Sequence, residues 1–287
     1  MKQVAVLSGK GGTGKTSLVS AFARLADAPI TLCDGDVDAA NLALTFPGKD
    51  ASAALFFSGQ KAVIDASTCT NCGACLDVCR FDAIREGDTA PSVAALHCEG
   101  CRACSVVCGA DAVSFVDHSS GRIFVRDIAE GVLVHAALGI AEGNSGKLVA
   151  SVKEHAKKLA AERGSDLVLI DGPPGIGCPV HATLSGVDLV VAVTEPTPSG
   201  AADLHRLLDL SDHFGIAACV IVNKFDLSTT MTESIEHASK KRGAPPIGRI
   251  GFDTAVAKYL SRHRTLLDVP SVRAQIDALW QQVRRLL

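Results

Sequence analysis

Residues 69–79 read CTNCGACLDVC and residues 98–108 read CEGCRACSVVC, two runs of the form C-x2-C-x2-C-x3-C. This is the bacterial spacing for thiolate ligation of [4Fe–4S] clusters, and two copies supply eight thiolates, four for each of two clusters. Paired C-x2-C also serves structural zinc. Four cysteines at so tight a spacing, twice over, favour clusters.

A second chemistry stands at the other end of the charge scale. Gly9 to Thr16, GKGGTGKT, satisfies the phosphate-loop pattern after the strand-like QVAVL and ahead of a helical stretch beginning near Lys15. Gly9, Gly11, Gly12, Thr13 and Gly14 let backbone N–H groups close around phosphate oxygens. Lys15 neutralises the outer phosphates, the Thr16 hydroxyl is placed to ligate Mg²⁺, and Ser17 follows in the first helical turn. The helix N-terminus adds positive potential of its own.

The elements that must position these groups read as α/β. QVAVL (3–7), ITLC (30–33), LVLI (167–170), LVVAV (189–193) and CVIV (219–222) are short apolar runs of the kind buried on both faces of a parallel sheet. KLVASVKEHAKKLAAERG (147–164) has helical period and stops at a glycine, with Asn144 or Ser145 as its cap. Eight of the eleven cysteines fall between 69 and 108, which marks an inserted module. Between residues 63 and 117 eight acidic residues face three arginines and no lysine, so this segment carries −5 and the rest of the chain +2. SFVDHSSGRIFV (114–125) is expected to be a hairpin leading out of the module, its turn at Ser-Ser-Gly.

Composition narrows the class. A net charge of −3 over 287 residues argues against a protein that coats nucleic acid. The first residues lack the apolar run of a secretory signal, and no stretch reaches the length of a spanning helix, so the chain reads as cytoplasmic. In a reducing cytosol, eleven cysteines imply metal or redox chemistry rather than disulfides.

The phosphate loop has a second lysine, Lys10, and CDGDVDAANL (33–42) and LVLIDGPPG (167–175) follow in order. With these motifs the chain resembles the MinD/ParA/Mrp class of P-loop ATPases, here with an inserted two-cluster ferredoxin domain. The resemblance covers essentially the whole chain. It implies that Lys10 reaches across a dimer interface to the partner's nucleotide. Asp36 would orient the attacking water and help hold Mg²⁺, with Asp34 supporting it, and Asp171 would bind Mg²⁺ through water. VNKFD (222–226) would read the base, with the Asn223 amide on adenine. The same stretch spells N-K-x-D, the guanine-reading signature, through Asp226; ATP is favoured because everything upstream resembles the ATPase class.

In two-cluster ferredoxins the fourth cysteine of each run crosses over. That resemblance assigns Cys69, Cys72, Cys75 and Cys108 to one cluster and Cys79, Cys98, Cys101 and Cys104 to the other. Arg80 and Gly109 stand where the ferredoxin pattern places proline. The expected architecture is thus a doubly wound, mostly parallel P-loop NTPase domain (1–62 and 118–287) with an α+β ferredoxin domain at 63–117.

Among the cysteines left over, Cys33 and Cys219 read as packing residues. Cys178, directly after DGPPGIG, is either a small buried hydrophobe or a metal or relay thiol shared across a dimer. SVRAQIDALWQQVRRLL (271–287) is amphipathic, and MinD-like proteins use such a helix on membranes, although a core-facing helix is the commoner case. The expected cofactors are ATP, Mg²⁺ and two [4Fe–4S] clusters. The expected partners are a second copy or a related ATPase, and a client metalloprotein or redox partner with a basic docking face. The leading expectation is an ATPase that assembles or delivers a metal–sulfur centre, ahead of an ATP-gated electron donor and a redox-sensing positioning ATPase.

Overall fold

The computed structural model describes residues 1–287 except Ala141, Asn144 and His263. In chain order the elements are β1 (Lys2–Ser8), α1 (Lys15–Arg24), β2 (Ile30–Asp34), α2 (Leu42–Thr45), β3 (Asp50–Ile64), α3 (Ala74–Val78), β4 (Ile84–Arg85), β5 (Ser92–Val93), α4 (Ala103–Val106), β6 (Val113–Ile128) and β7 (Gly131–Leu138). Then come α5 (Ser145–Arg163), β8 (Leu167–Pro174), α6 (Cys178–Leu184), β9 (Leu189–Thr194), α7 (Pro198–His213), β10 (Ala217–Asn223), α8 (Thr229–Lys241), β11 (Pro246–Ile250), α9 (Thr254–Leu260) and α10 (Pro270–Arg285).

The chain divides into two compact units, one of residues 1–54, 123–137 and 145–287, the other of residues 55–122 and 138–144. The second unit is wider than the span expected at 63–117, because β3 and β6 run on as strands past both of those limits.

The first unit is built on parallel strands. β1 pairs with β8 and β9, β10 with β9 and β11, and β2 with β7 and β8, all parallel, in the order β11-β10-β9-β1-β8-β2-β7-β6-β3. Nearly every residue of β1, β2, β8 and β9 is buried, as expected of strands covered on both faces. One face, through Val4, Val6, Leu32, Leu169 and Val191, packs against α1 and α10. The side chains that alternate with these serve the opposite face, where α5, α6 and α7 bury Val152, Val180 and Leu207. This is the doubly wound arrangement, and it leaves the loops after β1, β2 and β8 at the carboxyl ends of adjacent strands.

One expectation needs correction. Residues 114–125 form part of one strand, β6, rather than a hairpin. Ser120 is buried there and its hydroxyl donates to the Ser58 carbonyl at 3.0 Å, so the polar residues that suggested a turn are satisfied in an extended chain. The turn lies instead between β6 and β7, where Gly131 has φ 139°. The terminal helix α10 buries Val272, Ile276, Leu279, Trp280 and Val283, and the Trp280 indole N–H donates to the Leu25 carbonyl at 3.0 Å. Its apolar face belongs to the core rather than to a membrane. Among the described residues no helix is long and apolar enough to cross one. The long helix α5 begins at Ser145; the alternative cap, Asn144, lies outside the described residues.

In the second unit, Ala62, Ala83, Ile84, Cys98 and Cys104 form a small buried core, with Ile64, Leu76, Val113 and Phe115 packed against it. Its helices are short: α3 and α4 follow the first two cysteines of each run and carry the third, and β4 pairs antiparallel with β5.

Candidate functional site

The loop after β1 closes on itself before α1 begins. Gly12 and Gly14 have φ of 78° and 97°, conformations that side chains resist. A Cβ at Gly14 would also lie 2.7 Å from the Asn223 amide nitrogen. Gly14 caps α1 without a side chain, so the first N–H groups of the helix stay available to an anion. The Ser8 hydroxyl accepts from Lys15 Nζ at 3.0 Å and donates to the Lys10 carbonyl at 2.6 Å, which fixes the lysine under the loop. Burial pulls the Lys15 ammonium below its ordinary range, against the raising influence of Asp171 and Asp36.

β2 and β8 are neighbours, and their register sets Asp34 opposite Asp171. Both carboxyls are buried. Asp34 accepts from the Leu42 N–H at 3.0 Å and the Asp36 N–H at 3.2 Å, so it shapes the loop that carries Asp36. Burial and the neighbouring Asp171 push Asp34 well up. Asp171 is pushed up to about 7 by burial, although the Thr16 hydroxyl and Lys15 pull the other way. Neither Asp171 oxygen has a hydrogen bond of normal geometry. An unsatisfied buried carboxylate beside a hydroxyl and an ammonium suits a divalent cation with its waters, so this donor set fits Mg²⁺. Asp36, half-buried, is also raised by burial, with Lys15 opposing.

Beside the buried Asp34 and Asp171, which do not line it, opens a cavity of about 580 Å³. Gly11, Gly12, Gly14, Lys15, Thr16, Ser17, Asp36 and Asn223 line it, as does Asn41. Its far wall is apolar, with Ile250, Phe252, Val256 and Leu260. The Asn223 amide donates to the Thr13 carbonyl at 2.8 Å, which ties the end of β10 to the loop. Asp226 does not line this cavity; its carboxylate accepts from the Phe252 N–H at 2.8 Å.

Lys10 points elsewhere. Its ammonium lies 3.0 Å from Glu195, whose other oxygen accepts from Lys224 at 2.5 Å. Glu195 was missed in the sequence because it follows β9 in an ordinary TEPTP stretch with no motif around it. Asn41 and the wall at 250–260 were missed as well, although Asn41 is the next-to-last residue of the 33–42 stretch quoted above.

The cysteines of the second unit fall into two groups around two cavities. Cys69, Cys72, Cys75 and Cys108 line one, with Ile64, Pro91 and Val113. Cys79, Cys98, Cys101 and Cys104 line the other, with Phe81, Ile84 and Phe115. Each of these cavities is small, about 20 Å³ against the 580 Å³ of the first. Among the described residues, no three His, Cys, Asp or Glu side chains converge on a single ion position. A cubane holds its four thiolates apart at separate corners, so an all-sulfur set spread around an apolar hollow fits [4Fe–4S] ligation. Backbone N–H groups already point at three of the sulfurs: Asn71 at Cys69 (3.4 Å), Ala112 at Cys108 (3.3 Å) and Ala62 at Cys98 (3.4 Å).

Cys33 and Cys219 are fully buried, in keeping with packing roles, and burial pushes the Cys33 thiol far up and the Cys219 thiol to about 12. Cys178 is exposed at the start of α6, which removes the buried-hydrophobe reading for it.

Residues 4–266 match the family model described as the CobQ/CobB/MinD/ParA nucleotide binding domain. An uncharacterized protein of Methanocaldococcus jannaschii, MJ0578, is 35% identical over 288 residues, covering 99% of this chain and 97% of that one. A second from the same organism, MJ0579, is 28% identical over 231 residues, covering 79% and 82%. Among solved structures, a Cyanothece McdA–ATP complex gives a TM-score of 0.60 at 17% identity, covering 100% of this chain and 96% of that one. The septum site-determining protein MinD from Pyrococcus horikoshii, complexed with Mg-ADP, gives 0.57 at 17% identity, covering 99% and 96%. At such identities the likeness speaks for the fold.

Proposed function

This chain belongs to the CobQ/CobB/MinD/ParA nucleotide-binding family, and from that premise we propose that it is an ATPase with a built-in ferredoxin module, using ATP to gate electron donation to a client metalloprotein. The observation that carries the reading is the sorting of the eight module cysteines into two sets of four around separate cavities, within a chain that also has the complete phosphate loop.

In this reading the N–H groups of the loop after β1 and the Lys15 ammonium receive the β- and γ-phosphates. Thr16, Asp171 and Asp36 would hold Mg²⁺, which when bound would neutralise phosphate oxygens. Asp36 orients the water that attacks the γ-phosphorus, and ADP is the leaving group. Asn223 and the apolar wall at 250–260 receive adenine. Asp226 is engaged by the Phe252 N–H, which supports ATP over GTP. Lys10 acts on the nucleotide of a second protomer, so hydrolysis requires a dimer, with itself or with a related ATPase.

The sequence alone ranked metal–sulfur delivery first. We favour electron donation instead, because Cys98 and Cys104 are 7% and 8% exposed and each set draws ligands from both runs, which suits clusters that stay. Delivery keeps one specific support, the exposed Cys178 after β8, a thiol able to pass a metal onward.

Anaerobic iron and sulfide analysis with EPR, before and after dithionite and with and without ATP, tests the reading. About eight iron per chain, kept through turnover, with a reduced signal that ATP shifts, is the expected result. Iron or sulfide passing to an apo-acceptor only while ATP is hydrolysed would replace electron donation by delivery.

A further inference from the structure

The two cysteine cavities are not electrostatically alike, and we propose that the Cys79, Cys98, Cys101 and Cys104 set holds the higher-potential cluster and takes the first electron, with Lys61 as the positioning cation. The proposal rests on the cluster reading above and goes beyond it by distinguishing the two sites.

Lys61 lies on β3, outside both cysteine runs. Its ammonium donates to the Cys98 carbonyl at 2.8 Å, and the next residue, Ala62, donates its N–H to Cys98 Sγ. The strand and the cysteine loop are pressed together here: Gly100 has φ 62°, and a Cβ on it would fall 2.2 Å from the Gln60 carbonyl oxygen. Arg102 lines the same cavity. Arg102 is exposed, and its guanidinium donates to Gln60 Oε1 at 2.6 Å and lies 5.2 Å from the centre of the Phe115 ring, which fixes its position at the surface. In this lining Glu99 offsets Arg102, which leaves Lys61, bonded to the Cys98 carbonyl, as the further cation beside the set.

The other cavity has no charged residue in its lining. The charged residues whose backbone bonds to this set are acidic: the Asp65 carbonyl accepts from the Cys69 N–H at 3.0 Å, with its carboxylate fixed by Ser67 and Thr68, and the Asp111 N–H donates to the Cys108 carbonyl at 3.2 Å. This set has two N–H···S contacts against one for its counterpart. Those donors are neutral and long, whereas a full charge in a half-buried setting acts at greater range.

Reduction moves one electron from a low-potential one-electron donor to an oxidised cluster, whose charge with its four thiolates falls from −2 to −3; no bond breaks and no proton moves. A fixed cation stabilises the more negative state more. The cluster beside Lys61 and Arg102 is therefore reduced first, and the other second.

The test is an anaerobic EPR redox titration of the full chain with dithionite, with iron analysis on the same samples. Cys101→Ser identifies the signal of the Lys61 set. In the wild type that signal appears at the higher potential. Lys61→Met should keep about eight iron and move that signal alone to lower potential, and Lys61→Arg should restore it. An unmoved signal at full iron, the reverse order of the two signals in the wild type, or loss of about half the iron from Lys61→Met would each overturn the proposal, the last by making Lys61 a structural clamp. A wild-type chain that takes up no iron would sink the cluster reading itself.

Discussion

Lys10 and Glu195 are joined at 3.0 Å within one protomer, and Lys224 shares the same carboxylate. Burial raises the Glu195 carboxyl, but the two lysines outweigh it and hold it below its ordinary value of 4.5. A carboxyl depressed on folding contributes stability that is full above 4.5 and is lost as the pH falls through the folded value. Urea unfolding at pH 7 and at pH 4 should show wild type losing more stability on acidification than Glu195→Gln. Equal losses would mean that the pair does not persist in solution.

Lys15 and Asp36 separate binding from chemistry. Lys15→Met removes the charge opposite the outer phosphates and should abolish ATP binding by calorimetry. Asp36→Asn should bind ATP within a few-fold of wild type while phosphate release falls at least about 100-fold.

Asp226 is spoken for by the Phe252 N–H at 2.8 Å. Competition binding with ATP and GTP should therefore find Asp226→Asn with an unchanged preference for ATP. A reader of guanine would show a large loss of GTP affinity instead.

The two cysteine sets are expected to load independently. Cys72→Ser and Cys101→Ser, the exposed member of each set, should each cost about four of about eight iron atoms, and the double variant should retain almost none. Iron quantification on anaerobically reconstituted protein reads this directly.

Lys153 is buried on α5, and its ammonium donates to the carbonyls of Ala182 (3.1 Å), Thr183 (2.5 Å) and Ser185 (2.6 Å) at the end of α6. Burial brings it down to about 8, so at neutral pH it keeps three N–H groups for three orphan carbonyls. Lys153→Met leaves those carbonyls without a donor and should lower stability by about 3 kcal/mol in chemical denaturation.

Much of this was readable from the chain because the phosphate loop, the two aspartate loops and the cysteine runs are local patterns, each set by chemistry within about ten residues. The buried strands were equally plain, since apolar runs such as LVVAV have few alternatives. What was not readable depended on distant partners. GVLVHAAL of β7 and PIGRI of β11 lack flanking motifs, and β11 is mostly half-buried. Ser119-Ser120-Gly121 looked like a turn until Ser120 was seen bonded to Ser58, 62 residues away. Glu195 and Lys61 matter only through the lysine and cysteine that folding brings to them.

The burial of Cys33 and Cys219 has a practical side. With the eight module thiols occupied by clusters, Cys178 is the one thiol left exposed to a maleimide. It stands four residues after β8 ends at Pro174, in the loop-to-helix segment beyond Asp171. The native chain thus offers an attachment point for a fluorophore or spin label, and a probe there would report any movement of this segment on nucleotide binding without engineering a single residue.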